Sequence, residues 1–489
     1  MNHLALIATL TACVLAGCAG DRGLFATVGP DYTPATPRTA GKWQASLDGS
    51  VELPHAGRID ALTRWWDGFD DPLLSDLLRS AQAVSADLAS AQSRIAQSRA
   101  SAVAAGARGL PMFDIEAAIS RSSFTFGGPA TLRTQQQIGL QTSWEIDLFG
   151  GLAREREAAR AQFMARTASW HDARVSVAAE TADAYLSVRD CERRQQVADA
   201  DQASRRASLD ATERLVDAGF QPPSERALAR ASLAEAASQA AAVRADCSRA
   251  IKRLVELSGM DEAVLRERLA EGAARLPRPP ALPLDSVPAR ALRQRPDVSA
   301  AERELAEASA RIGVAEAARY PALSVTGNIT PTRVAINGGS AVSTQTWSIG
   351  PTLTLPLFDA GRRAADVEAA RAEYTARASA FDAAVRRAVR EVEEALVRLD
   401  AVAQRVPEAM RALDGYGERL TAVESQRAAG LASLNDEEIA RRAELSARSQ
   451  LIELERERVA ALIALYRASG GDWTGPQDIP KTSDAGDSR

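Results

Sequence analysis

The chain has 489 residues, 46% hydrophobic but only 5% aromatic, with 59 basic residues against 64 acidic ones and a net charge of -5. That balance argues against nucleic acid as the main partner. The absence of any run of about 20 apolar residues excludes a protein that crosses the membrane by helices, and leaves other membrane proteins open. Alanine supplies much of the apolar share, which suits long helices packed through small residues better than an aromatic-rich core.

Residues 4–15 are apolar and too few to span a membrane as a helix; they read as the centre of a signal peptide, residues 1–17. The stretch ends in Leu15-Ala16-Gly17-Cys18, which is similar to the bacterial lipobox, where cleavage leaves a diacylated cysteine as the first residue. Cys18 is therefore the candidate lipidation site, opening an N-terminal segment over 18–74; ordinary signal cleavage, with Cys18 incidental, is the alternative. Acyl chains plus a second signal anchor a protein stably.

A helix follows over 75–107, then two strands over 113–120 and 137–148 around a Gly/Ser/Thr-rich loop at 122–133. On the second strand Ile138, Leu140, Thr142, Trp144, Ile146 and Leu148 share one face, and Gln137, Gly139, Gln141, Ser143, Glu145 and Asp147 share the other. This is a clean period of two. From Gly151 to Gly219 there is no proline, so one helix of roughly 100 Å is expected at 1.5 Å per residue. A turn at 219–224 leads to a helix over 224–258. A Pro-rich linker and following segment occupy 276–297.

The same order then returns: helix 298–318, strands 323–330 and 347–357 around a loop at 331–344, long helix 361–429, turn 430–435, helix 435–469. Pro407 is expected to kink or break the second long helix. The two halves, 75–275 and 298–473, are a repeat at a spacing near 210 residues. Glu157-Ala-Ala-Arg-Ala161 matches Glu368-Ala-Ala-Arg-Ala372, and Glu213–Gly219 matches Glu424–Gly430. On the last strand Trp347, Ile349, Pro351, Leu353, Leu355 and Leu357 share a face. Residues 474–489 read as a flexible tail.

The strands approach the 9–11 residues of a tilted membrane strand, and apolar-out, polar-in alternation marks an outer-membrane barrel. Four strands cannot close a barrel, and lipid tolerates no open sheet edge, so other chains must complete it. Three copies would supply twelve strands. A soluble sheet covered by a core is the alternative. Cys191 and Cys247 are equidistant from Gly219, so two antiparallel helices meeting there place them at one height; they form a disulfide or remain two buried thiols.

In order along the chain stand Val28-Gly29-Pro30-Asp31-Tyr32, Trp65-Trp66 with Phe69-Asp70-Asp71-Pro72-Leu73, Arg295-Pro296-Asp297-Val298 with Ala301-Glu302, and Ala464-Leu465-Tyr466-Arg467 with Gly470-Gly471-Asp472-Trp473. With the lipobox, these resemble the motifs of the TolC-like outer-membrane factors, and most of all their OprM/NodT lipoprotein branch. The resemblance implies a mainly α protein with membrane β-structure: a homotrimer with a twelve-stranded shared β-barrel on a long periplasmic α-helical barrel. It implies a passive exit duct, anchored in outer-membrane lipid, joined by a periplasmic adaptor (membrane fusion) protein to an inner-membrane RND pump. It implies no enzyme activity, no cofactor and no metal site. The acidic run Glu391, Glu393 and Glu394 reads as a solvated helix face, and Gly338-Gly339 as a loop turn. A type I secretion duct and a periplasmic coiled-coil scaffold are the rival functions.

In that family the helix turns bind the adaptor and constrict the pore. The matching triplets are Ala218-Gly219-Phe220 and Ala429-Gly430-Leu431; a purely structural capping glycine is the plainer reading. The family's aspartate ring falls here on Ile439. Asp436, Glu437 and Glu438, one turn nearer the tip, are the candidate gate acids, with Arg441 or Arg442 as counter-ion. Helix-start chemistry, with Asn435 as N-cap, competes for the same residues.

Overall fold

The period-two stretches fold as a single antiparallel sheet in the order β1-β2-β3-β4. These strands are β1 (Met112–Phe124), β2 (Thr131–Ile146), β3 (Ala322–Ile336) and β4 (Val342–Thr354). The structure is a computed structural model. It describes residues 27–37, 39, 40, 43–45, 65–125, 127–280, 292, 294–471 and 473. The expected signal peptide, Cys18 and the tail at 474–489 lie outside the described residues. Each half of the chain contributes one hairpin, and the two hairpins join through β2 and β3.

The strands run further than the alternation suggested at their loop ends, so the connecting loops are shorter. At the opposite ends β2 stops at Ile146 and β4 at Thr354, which leaves Leu148, Leu355 and Leu357 outside the strands expected to hold them. Ser122↔Arg133 and Arg333↔Ser343 are rungs of the ladder. Ladder bonds are made by the backbone, so a Ser/Thr-rich stretch pairs as well as an apolar one. The β2–β3 ladder skips the rungs opposite Thr330 and Pro331; Pro331 has no N–H to donate. Gly338 (φ +75°) turns the chain between β3 and β4.

The helices are α1 (Pro72–Val84), α2 (Ala86–Ala107), α3 (Gly151–Asp217), α4 (Pro223–Ser258), α5 (Glu262–Glu271), α6 (Pro296–Ala317), α7 (Arg362–Ala428) and α8 (Leu434–Ala468). Two expectations are corrected. The helix at 75–107 is two helices, because Ser85 is extended and its hydroxyl accepts from Leu88 N at 3.3 Å, starting α2. Of the kink or break expected at Pro407 the break does not occur: helix α7 is continuous through it. One missing N–H in a helix of 67 residues leaves the bonds on either side to hold it.

The described chain divides into two compact units, each drawing on both halves. The first contains the sheet with residues up to Ala35, Ser93–Thr167 and Ala300–Phe381. The second contains Thr36–Gln92, Ala168–Ser299 and the chain from Asp382. Its core gathers Trp65, Leu74 and Leu77, Tyr185 and Leu186 of α3, Leu254 of α4, Leu265 of α5, Leu396 of α7 and Tyr466 of α8. Trp65 stacks on Tyr466 at 4.8 Å and meets Phe69 edge-on.

Candidate functional site

The sheet carries the clearest chemistry. Register places Ile115, Leu140, Ile329 and Trp347 on one rung across all four strands. The neighbouring rung is Asp114, Gln141, Asn328 and Ser348. Successive side chains point to opposite faces, so one face is apolar and the other polar. Ile115, Trp347 and Ile349 are exposed, and the described residues of this unit do not cover that face. Water disfavours such a surface, and lipid favours it. The outer strands β1 and β4 each have one unpaired edge. An even number of antiparallel strands lets β4 of one chain pair antiparallel with β1 of another. Among the described residues no helix is long and apolar enough to cross a membrane.

In the same unit the Val28–Tyr32 segment is tied down. Arg154, buried near the start of α3, donates from Nε to Val28 O at 3.1 Å and from Nη2 to Asp31 at 2.6 Å; its Nη1 bonds Glu157 at 2.7 Å. Tyr32 donates to Glu302 Oε1 at 2.7 Å, and burial with this bond holds its hydroxyl well above the usual phenol range. Gly29 lies against the backbone of Gly313, where any Cβ would collide. Sequence reasoning misses Arg154, because its ties to Val28 and Asp31 span more than 120 residues and only Glu157 is a local partner.

The two helix turns share one geometry. Gly219 N bonds Val216 O at 2.9 Å and Phe220 N bonds Leu215 O at 2.9 Å; Gly430 N bonds Arg427 O at 2.9 Å and Leu431 N bonds Gln426 O at 2.8 Å. This is the paired-bond helix ending that wants a left-handed residue, and Gly219 and Gly430 have φ of +76° and +74°. Among the described residues nothing lies within 4 Å of where a Cβ would stand on either, so conformation rather than space selects glycine. Ala218 and Ala429 are exposed, and Phe220 and Leu431 stand 80% and 81% exposed. The return helices start differently: Pro222 and Pro223 open α4, whereas Ser433 caps α8.

Among the gate candidates the structure sorts out distinct surroundings. Asp436 closes a capping box with Ser433, whose hydroxyl it accepts at 2.6 Å. The N-cap is thus Ser433 and not Asn435; a residue three before the acid can close the box, and Asn435 already lies inside the helix. The bonds to Ser433 hold Asp436 below the usual carboxylate range. Glu437 is 8% exposed and sits between Arg427 and Arg441, the latter at 2.9 Å. Burial opposes its charge, but these two partners outweigh that and hold it below the usual range. Arg441 also bonds Glu424 at 2.7 Å, so acids and cations alternate from α7 to α8. Glu438 accepts from Ser204 at 2.7 Å, and among the described residues Arg442 bonds only the Glu438 carbonyl, at 3.2 Å.

Cys191 of α3 and Cys247 of α4 form a disulfide across the hairpin, with Cα atoms 5.3 Å apart. At the other end of the same unit, the Arg295 and Gly470-Gly471 motifs meet. Arg295, 5% exposed, bonds Asp297, Glu391 and the Ala468 carbonyl at 2.7–2.9 Å. A Cβ on Gly470 would strike Gln294 O. The acidic run on α7 is therefore not simply solvated: Glu391 holds Arg295, Glu393 accepts from the Gln44 and Ala45 amides at 2.7 Å, and Glu394 pairs with Arg390 at 2.9 Å.

Known proteins match these features along nearly the whole chain. A sequence model of the family described as outer membrane efflux protein matches residues 77–260 and 287–471. Nodulation protein T of Rhizobium leguminosarum bv. viciae is 27% identical over 98% of this chain and 95% of its own length. Outer membrane protein OprJ of Pseudomonas aeruginosa is 30% identical over 71% of this chain and 72% of its own. A solved structure of the outer-membrane channel OprN superposes with a TM-score of 0.80 at 28% identity, covering 91% of this chain and 99% of that one. Two matched stretches, one four-stranded sheet built from both, and paired long helices thus lead to one conclusion: this chain belongs to the outer membrane efflux protein family.

Proposed function

We propose that the protein is the passive exit duct of a tripartite efflux system, acting as a homotrimer in the outer membrane. The carrying observation is the sheet: an apolar face beside a polar one, with both edges unpaired. Closing three such sheets edge to edge gives a twelve-stranded barrel whose apolar faces meet lipid and whose polar faces line a water-filled lumen. Each chain then completes what its neighbours lack, and lipid meets no open edge.

In this reading the first repeat (75–275) and second repeat (298–473) supply equivalent hairpins, and the long helices extend the lumen through the periplasm. Cys18 carries the lipid anchor. The triplets Ala218-Gly219-Phe220 and Ala429-Gly430-Leu431 present exposed apolar tips to a periplasmic adaptor protein, which couples the duct to an inner-membrane pump of the RND type. Asp436 is committed to its helix cap, so the better gate element is the ion-paired Glu437–Arg441 pair with Arg427 and Glu424. Breaking those pairs would free α8 from α7 near the tip. The duct needs no catalytic group and no cofactor, since the pump supplies the energy.

Reconstitution into planar bilayers tests the reading. Discrete conductance steps are expected from the purified oligomer, with longer open times for Glu437→Gln. A periplasmic scaffold would give no conductance at all.

A further inference from the structure

The second unit contains a cavity of about 1100 Å³ that the duct reading does not use. Its walls come from the turn before α1, the middle of α3, the end of α5 with the Arg275–Pro279 stretch, and α8. Six arginines line it, with no lysine or histidine: Arg189, Arg193, Arg268, Arg275, Arg278 and Arg458. The lining carboxylates are four: Asp70, Asp71, Glu271 and Glu455.

Ion pairing removes part of this set. Arg193 pairs with Glu455, and Arg268 with Asp76 at 2.6 Å. Asp71 caps α1 through Leu74 N at 3.1 Å and accepts from the Tyr185 hydroxyl at 2.6 Å. Arg275, Arg278 and Arg458 have no such partner among the described residues. Arg189 adds a built element. It is 2% exposed, and its Nε and Nη1 are fixed by the Tyr185 hydroxyl at 2.9 Å, Glu192 at 2.9 Å and the Leu269 carbonyl at 2.8 Å. Its Nη2 has no hydrogen-bond partner among the described residues, and both Arg189 and the neighbouring Gly272 line the cavity. Glycine at 272 leaves room for it: a Cβ there would stand 3.0 Å from Nη2. A guanidinium already oriented by three bonds loses little further freedom when it binds one more acceptor.

We propose that this cavity binds a multivalent anion, a ligand carrying two or more phosphate or carboxylate groups. Arg189 supplies the fixed donor at the floor, and Arg275, Arg278 and Arg458 close on the other charges from two walls. Guanidinium forks match both phosphate and carboxylate oxygens in pairs, which a monovalent ion cannot exploit on several walls at once. The volume accommodates a molecule of ligand size rather than a single small ion. The inference is independent of whether the protein conducts.

Isothermal titration of the purified full-length protein in neutral detergent tests it, with tripolyphosphate and citrate as probes and acetate as control. One saturable site per chain is expected for tripolyphosphate, citrate or both, and the preferred probe identifies phosphate or carboxylate as the natural group. Arg275→Gln and Arg458→Gln should each weaken binding about tenfold, the worth of a charge-assisted hydrogen bond. Glu271→Gln should tighten it, a direction that a folding defect cannot produce. Arg249→Gln, on the exposed face of α4, should change nothing. Absence of saturable binding, equal binding of acetate, or affinity unmoved by all three cavity variants would overturn the proposal.

Discussion

Leu140→Arg puts the membrane assignment to its sharpest test. Leu140 lies on β2, the second of four strands, flanked on its rung by Ile115 and Ile329. A charge there cannot escape past a sheet edge. The outward apolar stretch of β2 runs from Ile138 to Ile146, so Leu140 lies about 7 Å along the strand from its centre, at 3.3 Å per residue. An arginine at the bilayer midplane of a barrel costs about 2–4 kcal/mol, falling toward the interfaces. The off-centre position favours the lower figure, about 2 kcal/mol per chain, which is about 25-fold in the folded fraction. Three chains in one trimer multiply that to about 6 kcal/mol. Gln141→Arg, one residue on, places the same charge on the polar face and should stay within about 0.5 kcal/mol. Urea titration of folding into lipid vesicles reads both. Equal stability of the two variants, or greater damage from Gln141→Arg, would refute the assignment of the faces.

Other outcomes follow from the helical unit. Cys191→Ser should cost about 4 kcal/mol for a loop of this length, read as a lower guanidinium midpoint that matches wild type under reductant. Arg295→Ala leaves Asp297 and Glu391 unpaired beside an orphan carbonyl and should cost about 3–5 kcal/mol, with Arg295→Lys recovering part of it in thermal unfolding. Gly430→Ala should strain the turn by about 1–2 kcal/mol without any clash, seen as faster proteolysis at the tip. Glu437 has a lowered folded pKa, so its stabilisation is full above the ordinary glutamate range and is lost as pH falls through the folded value. Tip proteolysis should therefore rise at acid pH in wild type, while Glu437→Gln is already cleaved fast and shows a flatter profile.

What could be read in the sequence was whatever repeats locally. Period-two alternation marked β2 and β4, with β1 and β3 placed as their partners; freedom from proline marked α3, and glycine followed by an apolar residue marked both turns. Local rules were less decisive where two residues compete for one role. Ser433 and Asn435 are both good caps, and only the reciprocal bond with Asp436 selects Ser433. Ser85 and Asp261 carried cap signals of their own, one splitting the first helix and the other opening α5 after Gly259. Polar strand ends looked like loops because hydropathy does not report backbone pairing. Long-range ties were out of reach: nothing in the neighbourhood of Arg154 points to Asp31, and nothing near Glu393 points to Gln44. The same limit hid the arginine cavity, whose walls come from four separated stretches of chain.

A closed barrel requires that each four-stranded sheet be completed by other chains. Native mass measurement of the full-length protein in lipid nanodiscs tests this most directly. Three chains per particle are expected, resistant to dilution because their strand edges are paired. A stable single chain, or a particle with any other number of chains, would contradict it.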